Sequence, residues 1–148
     1  MNDEELLDKL ATWLELRLHE TAGWDTGSRL YGLTVMDPEA LGRNADGAAR
    51  ISLLAEGDVY ELLDSPVAIA ATVFDAVGLC CFGTATRLDT GERSRCRTVL
   101  VVNDCGRSTV NRLQGRSPER MGMASGPVAE RVDLLFSAFR STETHRPT

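Results

Sequence analysis

Apolar positions in the first twenty residues recur at helical spacing, and the polar residues before them fit a helix N-terminus. Asn2 and Glu5 occupy the two positions of a capping box, and Asp3 and Glu4 suit the positive end of a helix dipole. The apolar stripe consists of Leu7, Leu10, Trp13, Leu14 and Leu18. This spacing predicts a helix that packs on the core through the stripe and ends at Gly23.

The hydrophobic pattern between residues 24 and 74 is weaker and mixed. Residues 30–35 predict a short strand, and Asp37-Pro38 predicts the cap and first turn of a short helix. Residues 49–55 alternate well enough for a strand, although a helix remains the alternative. Further helical segments are predicted over residues 58–63 and from Pro66 to about residue 74.

The strongest β pattern lies in the second half of the chain. Strands are predicted over residues 77–88, 95–103 and 108–113, joined as two hairpins by turns that contain Gly91 and Gly106. After Gly126-Pro127, a terminal helix is predicted from an apolar face of Val128, Val132, Leu135, Phe136 and Phe139.

The order of these elements predicts an α+β fold. An antiparallel sheet of about four strands is expected, with helices packed mainly on one face. A single domain is expected over residues 1–140, followed by a disordered polar tail over residues 141–148.

Arginines alternate along the middle strand of the predicted hairpins, and the pairing register decides what lies beside them. If the turns are centred on Thr90-Gly91 and Cys105-Gly106, Thr84 faces Arg97, Thr86 faces Arg95, and Val99 faces Arg112. One side of the sheet then carries the three arginines and both threonines. The opposite side carries the more apolar residues.

Three neighbouring guanidinium groups repel one another unless water or an anion separates them, and arginine suits bidentate binding of carboxylate or phosphate. The candidate ligand site is therefore Arg95, Arg97, Arg112, Thr84 and Thr86. Two alternatives stay open: a sheet face exposed to water, or pairing with the acidic first half of the same chain. Residues 1–64 hold 14 acidic and 5 basic residues, whereas residues 65–148 hold 8 and 11.

Composition and motifs exclude several function classes. The formal net charge of −6 argues against general affinity for nucleic acid or an anionic membrane. No zinc-binding spacing, phosphate loop or dinucleotide fingerprint occurs, so neither a metal nor a cofactor is expected. The two histidines, His19 and His145, are expected at the surface, and no nucleophile–base pair is evident.

The cysteines and the N-terminus predict a cytoplasmic protein. The chain opens with acidic residues, without the basic and apolar regions of a signal peptide. Reduced thiols are therefore expected at Cys80, Cys81, Cys96 and Cys105. Among them Cys105, placed in a predicted turn, is the candidate for an exposed thiol.

The stretch from residue 67 to residue 110 resembles a group of small uncharacterised actinobacterial proteins. In that group a D-A-x-G-x-x-x-x-G-x-A strand precedes an arginine-bearing strand and a V-x-x-x-G-x-S turn. The matching residues here are Asp75, Ala76, Gly78, Gly83, Ala85, Val102, Gly106 and Ser108. Cys105 departs from the Asp or His expected before the glycine. The resemblance implies the sheet and carries no activity.

Three functional hypotheses follow from the sequence. The first is a non-enzymatic module that acts through protein contacts, with an unknown partner or as a homodimer through a sheet edge or the terminal helix. The second is a protein that binds an anionic or phosphorylated small ligand at the arginine cluster. The third, a nucleic-acid-associated regulator that uses the basic second half, is the weakest because of the negative net charge.

Overall fold

The computed structural model describes residues 2–21, 24, 27–58, 74–86, 89–103 and 106–120. The first helix, α1, spans Asp3–Thr21. The amide of Glu5 donates to the side-chain oxygen of Asn2 at 2.8 Å, so the predicted cap is confirmed. The predicted apolar stripe of α1 is buried, with Trp13 and Leu14 no more than 1% exposed.

The strands form one antiparallel sheet in the order β2-β1-β3-β4-β5-β6. Five strands are long and the sixth has two residues, so the described sheet has one more full strand than expected. The predicted α+β class is confirmed. The strands are β1 Ser28–Val35, β2 Ala49–Gly57, β3 Ala76–Thr86, β4 Arg93–Asn103, β5 Gly106–Leu113 and β6 Glu119–Arg120.

The second helix, α2, is a short segment over Pro38–Gly42 between the first two strands. The Asp37 side chain accepts hydrogen bonds from the amides of Glu39 and Ala40, which confirms the predicted cap and first-turn proline. A 3₁₀ turn over Asp46–Ala48 then leads into β2.

Both described helices contribute to one core on one face of the sheet. Buried α1 residues and Leu41 of α2 cluster with Cys80, Val99, Val101 and Val110 of the three central strands. Helix α1 is close to the sheet at Gly78 of β3, where an added Cβ atom would lie 2.6 Å from a methyl carbon of Leu14. The expected placement of helices on one face is therefore confirmed for these two.

The other face of the sheet is also apolar and buried. Its residues are at most 5% exposed, and they are Leu30, Val77, Leu79, Leu100 and Val102. The helices predicted over residues 58–63, before Phe74 and after Gly126 lie outside the described residues, apart from Asp58 at the start of the first, and so do the tail and Cys105.

Both hairpins pair two residues away from the predicted register. Thr84 pairs with Arg95, and Phe82 pairs with Arg97. On the other side of β4, Arg112 pairs with Arg97, whereas the predicted partner of Arg112 was Val99. The register predicted from turns centred on Gly91 and Gly106 was therefore wrong.

The second turn shows why the register moved. Gly106 takes a positive φ of 156° and begins β5, and its amide donates to the side-chain oxygen of Asn103 at 3.1 Å. The centre of the turn thus lies one residue earlier than predicted, and every pairing changes by two. Because side chains alternate with a period of two, each one keeps its predicted side of the sheet.

No helix in the described part of the chain is long and apolar enough to cross a membrane.

Candidate functional site

Two of the predicted arginines lie side by side beneath α1. Arg97 of β4 and Arg112 of β5 are direct neighbours across the ladder, and they point to the face that α1 covers. Arg97 is fully buried and Arg112 is 8% exposed. The sequence therefore predicted that these two side chains cluster, but they belong to the interior and not to an open surface.

Glu15 of α1 binds both arginines. Its Oε1 accepts hydrogen bonds from Arg97 Nη1 at 3.1 Å and from Arg112 Nε at 2.5 Å, and its Oε2 accepts from Arg112 Nη2 at 3.0 Å. Glu15 is itself fully buried. Pairing with the acidic first half of the chain, one of the alternatives from the sequence, is what the structure shows for these arginines.

Two aromatic rings cover the guanidinium of Arg97. Its Cζ lies 4.4 Å from the centroid of the Trp24 ring and 5.8 Å from that of the Phe82 ring. Both rings are partly exposed, whereas the guanidinium is not. These distances place the cation within range of favourable cation–π interactions.

His19, one turn beyond Glu15, completes the cluster. Its Nδ1 lies 3.0 Å from Arg97 Nη1. A guanidinium nitrogen only donates, so Nδ1 accepts and the neutral imidazole carries its proton on Nε2. Burial and the nearby charges of Arg112 and Arg97 lower the pKa of His19 from its usual 6.5. The histidine is exposed as predicted, but it also has a partner in the interior.

One edge of the Arg97 guanidinium is left without partners. Nε and Nη2 are buried and have no hydrogen-bond partner among the described residues, whereas Nη1 contacts both Glu15 and His19. In Arg112 the corresponding nitrogens, Nε and Nη2, hold the carboxylate of Glu15. The unpartnered edge of Arg97, formed by Nε and Nη2, is therefore the same edge with which Arg112 binds a carboxylate.

The charges within this cluster do not balance. Two guanidinium groups face the single carboxylate of Glu15, and His19 is neutral in its observed hydrogen bond. The cluster formed by these side chains thus carries one surplus positive charge. A buried charge without a counter-charge is costly, so this surplus is an electrostatic signal for an anion.

The remaining predicted site residues lie apart from this buried cluster. Thr84, Thr86 and Arg95 are exposed, on the same side of the sheet but nearer its end. Thr84 and Arg95 pair directly across the strands. The structure therefore separates the five predicted residues into a buried pair and an exposed trio.

Sequence reasoning missed Glu15 and Trp24. Glu15 interrupts the apolar stripe of α1, one residue after Leu14 and three before Leu18, so it had to face the core. Asp8 lies seven residues, or about two helical turns, before Glu15. The two carboxylates therefore share a face of α1, which was a further sign that this face meets polar partners. Asp8 accepts a hydrogen bond from Ser108 of β5 at 2.6 Å. No comparable signal marked Trp24.

The described cysteines are free, and Cys80 and Cys81 are poorly suited to act as nucleophiles. Cys80, Cys81 and Cys96 form no disulfide, in agreement with the prediction of reduced thiols. Burial raises the pKa of Cys80 to about 12 and also raises that of Cys81. Their thiolate forms are therefore scarce at neutral pH.

A second surface feature lies at the opposite end of the sheet. Strand β2 pairs only with β1 in the described part of the chain and so forms an edge there. Leu53 on this strand is 52% exposed, and Met36, just after β1, is 57% exposed. A β-bulge at Leu54 interrupts the pairing beyond Leu53.

No family model, no curated protein and no solved structure matches this chain.

Proposed function

We propose that this protein binds a small anionic ligand through the buried guanidinium of Arg97. The observation that carries the proposal is that Nε and Nη2 of Arg97 are buried without partners in the described structure. They belong to a side chain that is fully buried.

The free energy of the cluster favours an added anion. A buried donor without a partner costs about 1–3 kcal/mol, and a buried surplus charge costs several kcal/mol more. The cation–π contacts with Trp24 and Phe82 offset about 2 kcal/mol of this cost. One oxyanion on the edge of Arg97 supplies both the acceptors and the counter-charge.

The neighbouring ion pair gives the binding geometry. Arg112 holds Glu15 with two nearly parallel hydrogen bonds of 2.5 and 3.0 Å. Such bidentate pairs are the strong and directional form of arginine recognition. We expect an anion to bind Arg97 in the same manner, in the plane of its guanidinium group.

Thermal unfolding with and without added anions tests this proposal. Replacing chloride by acetate or phosphate at constant ionic strength should raise the Tm in a saturable way. A ligand at about 100 times its Kd adds about 2.7 kcal/mol, which corresponds to roughly 5–10 °C for a protein of this size.

Two variants separate the proposed site from general salt effects. Arg97→Gln should abolish the rise in Tm, while the bidentate pair of Glu15 with Arg112 still holds the helix on the sheet. Arg95→Gln is the matched control, because Arg95 is an exposed arginine two residues away on the same strand, and this variant should respond like the wild type. The proposal fails if neither anion raises the Tm, or if Arg97→Gln responds as the wild type does.

A second candidate function is self-association through the edge at β2. It is favoured by the exposed apolar side chain of Leu53 on this edge strand, and Met36, just after the neighbouring strand β1, is a second exposed apolar side chain. The regular part of β2 before the bulge carries a single charged residue, Arg50. If two copies pair their β2 strands antiparallel, with the two-fold axis at Ile51, Arg50 of each copy lies opposite Ser52 of the other. No like charges then meet across the two-fold axis.

A further inference from the structure

We infer that the ligand of Arg97 is a monocarboxylate and not a phosphate, an inference that rests on the proposed function above. The juxtaposition that carries it is a buried guanidinium edge, flat aromatic rings on the guanidinium, and a surplus of one positive charge.

The charge of the cluster selects an anion with a single charge. With Glu15 shared by Arg97 and Arg112, one added negative charge brings the buried cluster to neutrality. A phosphate group carries close to two negative charges near neutral pH, and would leave a buried negative surplus instead. Since Arg97 and Glu15 are fully buried, a surplus charge beside them is poorly screened.

The arrangement of the two free donors on Arg97 selects a planar group. The edge of Arg97 presents Nε and Nη2 in the plane of the guanidinium, and the Trp24 centroid lies 4.4 Å from its Cζ. A carboxylate is planar and places both oxygens in that plane, as Glu15 does on Arg112. A tetrahedral phosphate places at least two of its oxygens outside that plane, where the electron-rich face of an aromatic ring offers them no hydrogen bond.

The position of His19 adds to this selection. Its Nδ1 accepts from Arg97 Nη1, so this edge of the ring presents a lone pair to the cluster and not a proton. The imidazole therefore supplies no charge to compensate a second negative charge on the ligand.

An NMR titration of the whole chain with sodium acetate or inorganic phosphate tests the inference. At about pH 8 and constant ionic strength, acetate should shift the Nε–H resonance of Arg97, and the shift should saturate as expected for a single binding site. Phosphate should bind at least about tenfold more weakly, because of the charge argument. This comparison uses the wild type and does not depend on any variant.

A pair of conservative variants assigns the binding to the planar edge. Arg97→Lys keeps the positive charge but removes the two parallel donors, and acetate affinity should fall by about tenfold or more. Arg95→Lys, the matched control on the same strand, should bind acetate like the wild type.

The possible results separate this inference from the proposed function. Phosphate that binds as tightly as acetate or more tightly, through Arg97, overturns the carboxylate assignment and leaves anion binding in place. Failure of both anions to bind overturns the proposed function itself. Equal acetate affinity in wild type and Arg97→Lys overturns the role of the planar edge.

Discussion

Glu15 shows how one residue decides the character of the buried cluster. It holds Arg97 and Arg112 together although a buried carboxylate and two buried guanidinium groups lose their hydration. Removing one partner from such a buried network typically costs about 3–5 kcal/mol, because the remaining charge stays unpaired. By the same reasoning, the two unpartnered nitrogens of Arg97 mark the place where the proposed anion would contribute free energy.

His19 makes the stability of the protein sensitive to mild acid. Its pKa in the folded protein is lowered by burial and by Arg112 and Arg97, whereas the unfolded chain titrates near the usual 6.5. The unfolded chain therefore binds a proton more readily. The contribution of His19 to the free energy of unfolding is full above pH 6.5 and is lost as the pH falls through the lowered pKa.

We predict that wild type loses stability relative to His19→Gln as the pH falls from about 7 to about 5. Glutamine retains a side-chain acceptor but does not titrate, so the difference between the two proteins isolates His19. Urea unfolding at each pH measures it, and an NMR titration of the ring gives the pKa directly. A ring that titrates at 6.5 or above in the folded protein would contradict the position of His19 against Arg97.

At the scale of the elements, local signals predicted what is local. The Asn2 and Asp37 caps follow from residues within three positions of each helix start, and both form as predicted. The alternation along β4 and β5 correctly placed Arg97 and Arg112 on one side of the sheet. The register was wrong by two residues, since a one-residue difference in the position of each turn cannot be read from glycine positions alone.

The contact between α1 and β3 depends on the absence of a side chain at Gly78. A Cβ at this position lies 2.6 Å from Leu14 and 3.4 Å from Leu33, and both leucines are fully buried. We predict that Gly78→Val destabilises the protein by about 1–3 kcal/mol, because the core has to shift to accept the added carbons. The midpoint of urea unfolding measures this loss.

Gly83 provides the matched control on the same strand. A Cβ built there meets no atom within 4 Å, so Gly83→Val should leave the unfolding midpoint unchanged or slightly raised. If both variants unfold at the wild-type midpoint, α1 does not pack on β3 as described.

At the scale of the whole molecule, the two candidate surfaces lie apart in the sheet. The buried arginines are in β4 and β5, under α1, while Leu53 lies on the edge strand β2, three places away from β4 in the strand order. Ligand binding and self-association can therefore be altered separately. The third hypothesis, nucleic-acid binding, loses two surface cations because Arg97 and Arg112 face the interior.

We predict that Leu53→Lys abolishes concentration-dependent self-association through the β2 edge. The added charge opposes close contact between two edge strands, and stability should change by no more than about 0.5 kcal/mol because Leu53 is half exposed. Light scattering over a range of protein concentrations measures the effect. Gln114→Lys, which adds the same charge at an exposed position just after β5, is the control. A dimer that persists in Leu53→Lys would rule out this edge as the interface.

The sequence by itself determined the first helix, the strands of the two hairpins, and the side of the sheet on which Arg95, Arg97 and Arg112 lie. These properties depend on spacing and alternation over a few neighbouring residues. Only the tertiary structure decided that this side faces α1 and not water, and that Glu15 lies between two arginines 82 and 97 residues further along the chain. Which helix covers which face follows from the burial of the whole apolar surface, and no local pattern encodes that choice.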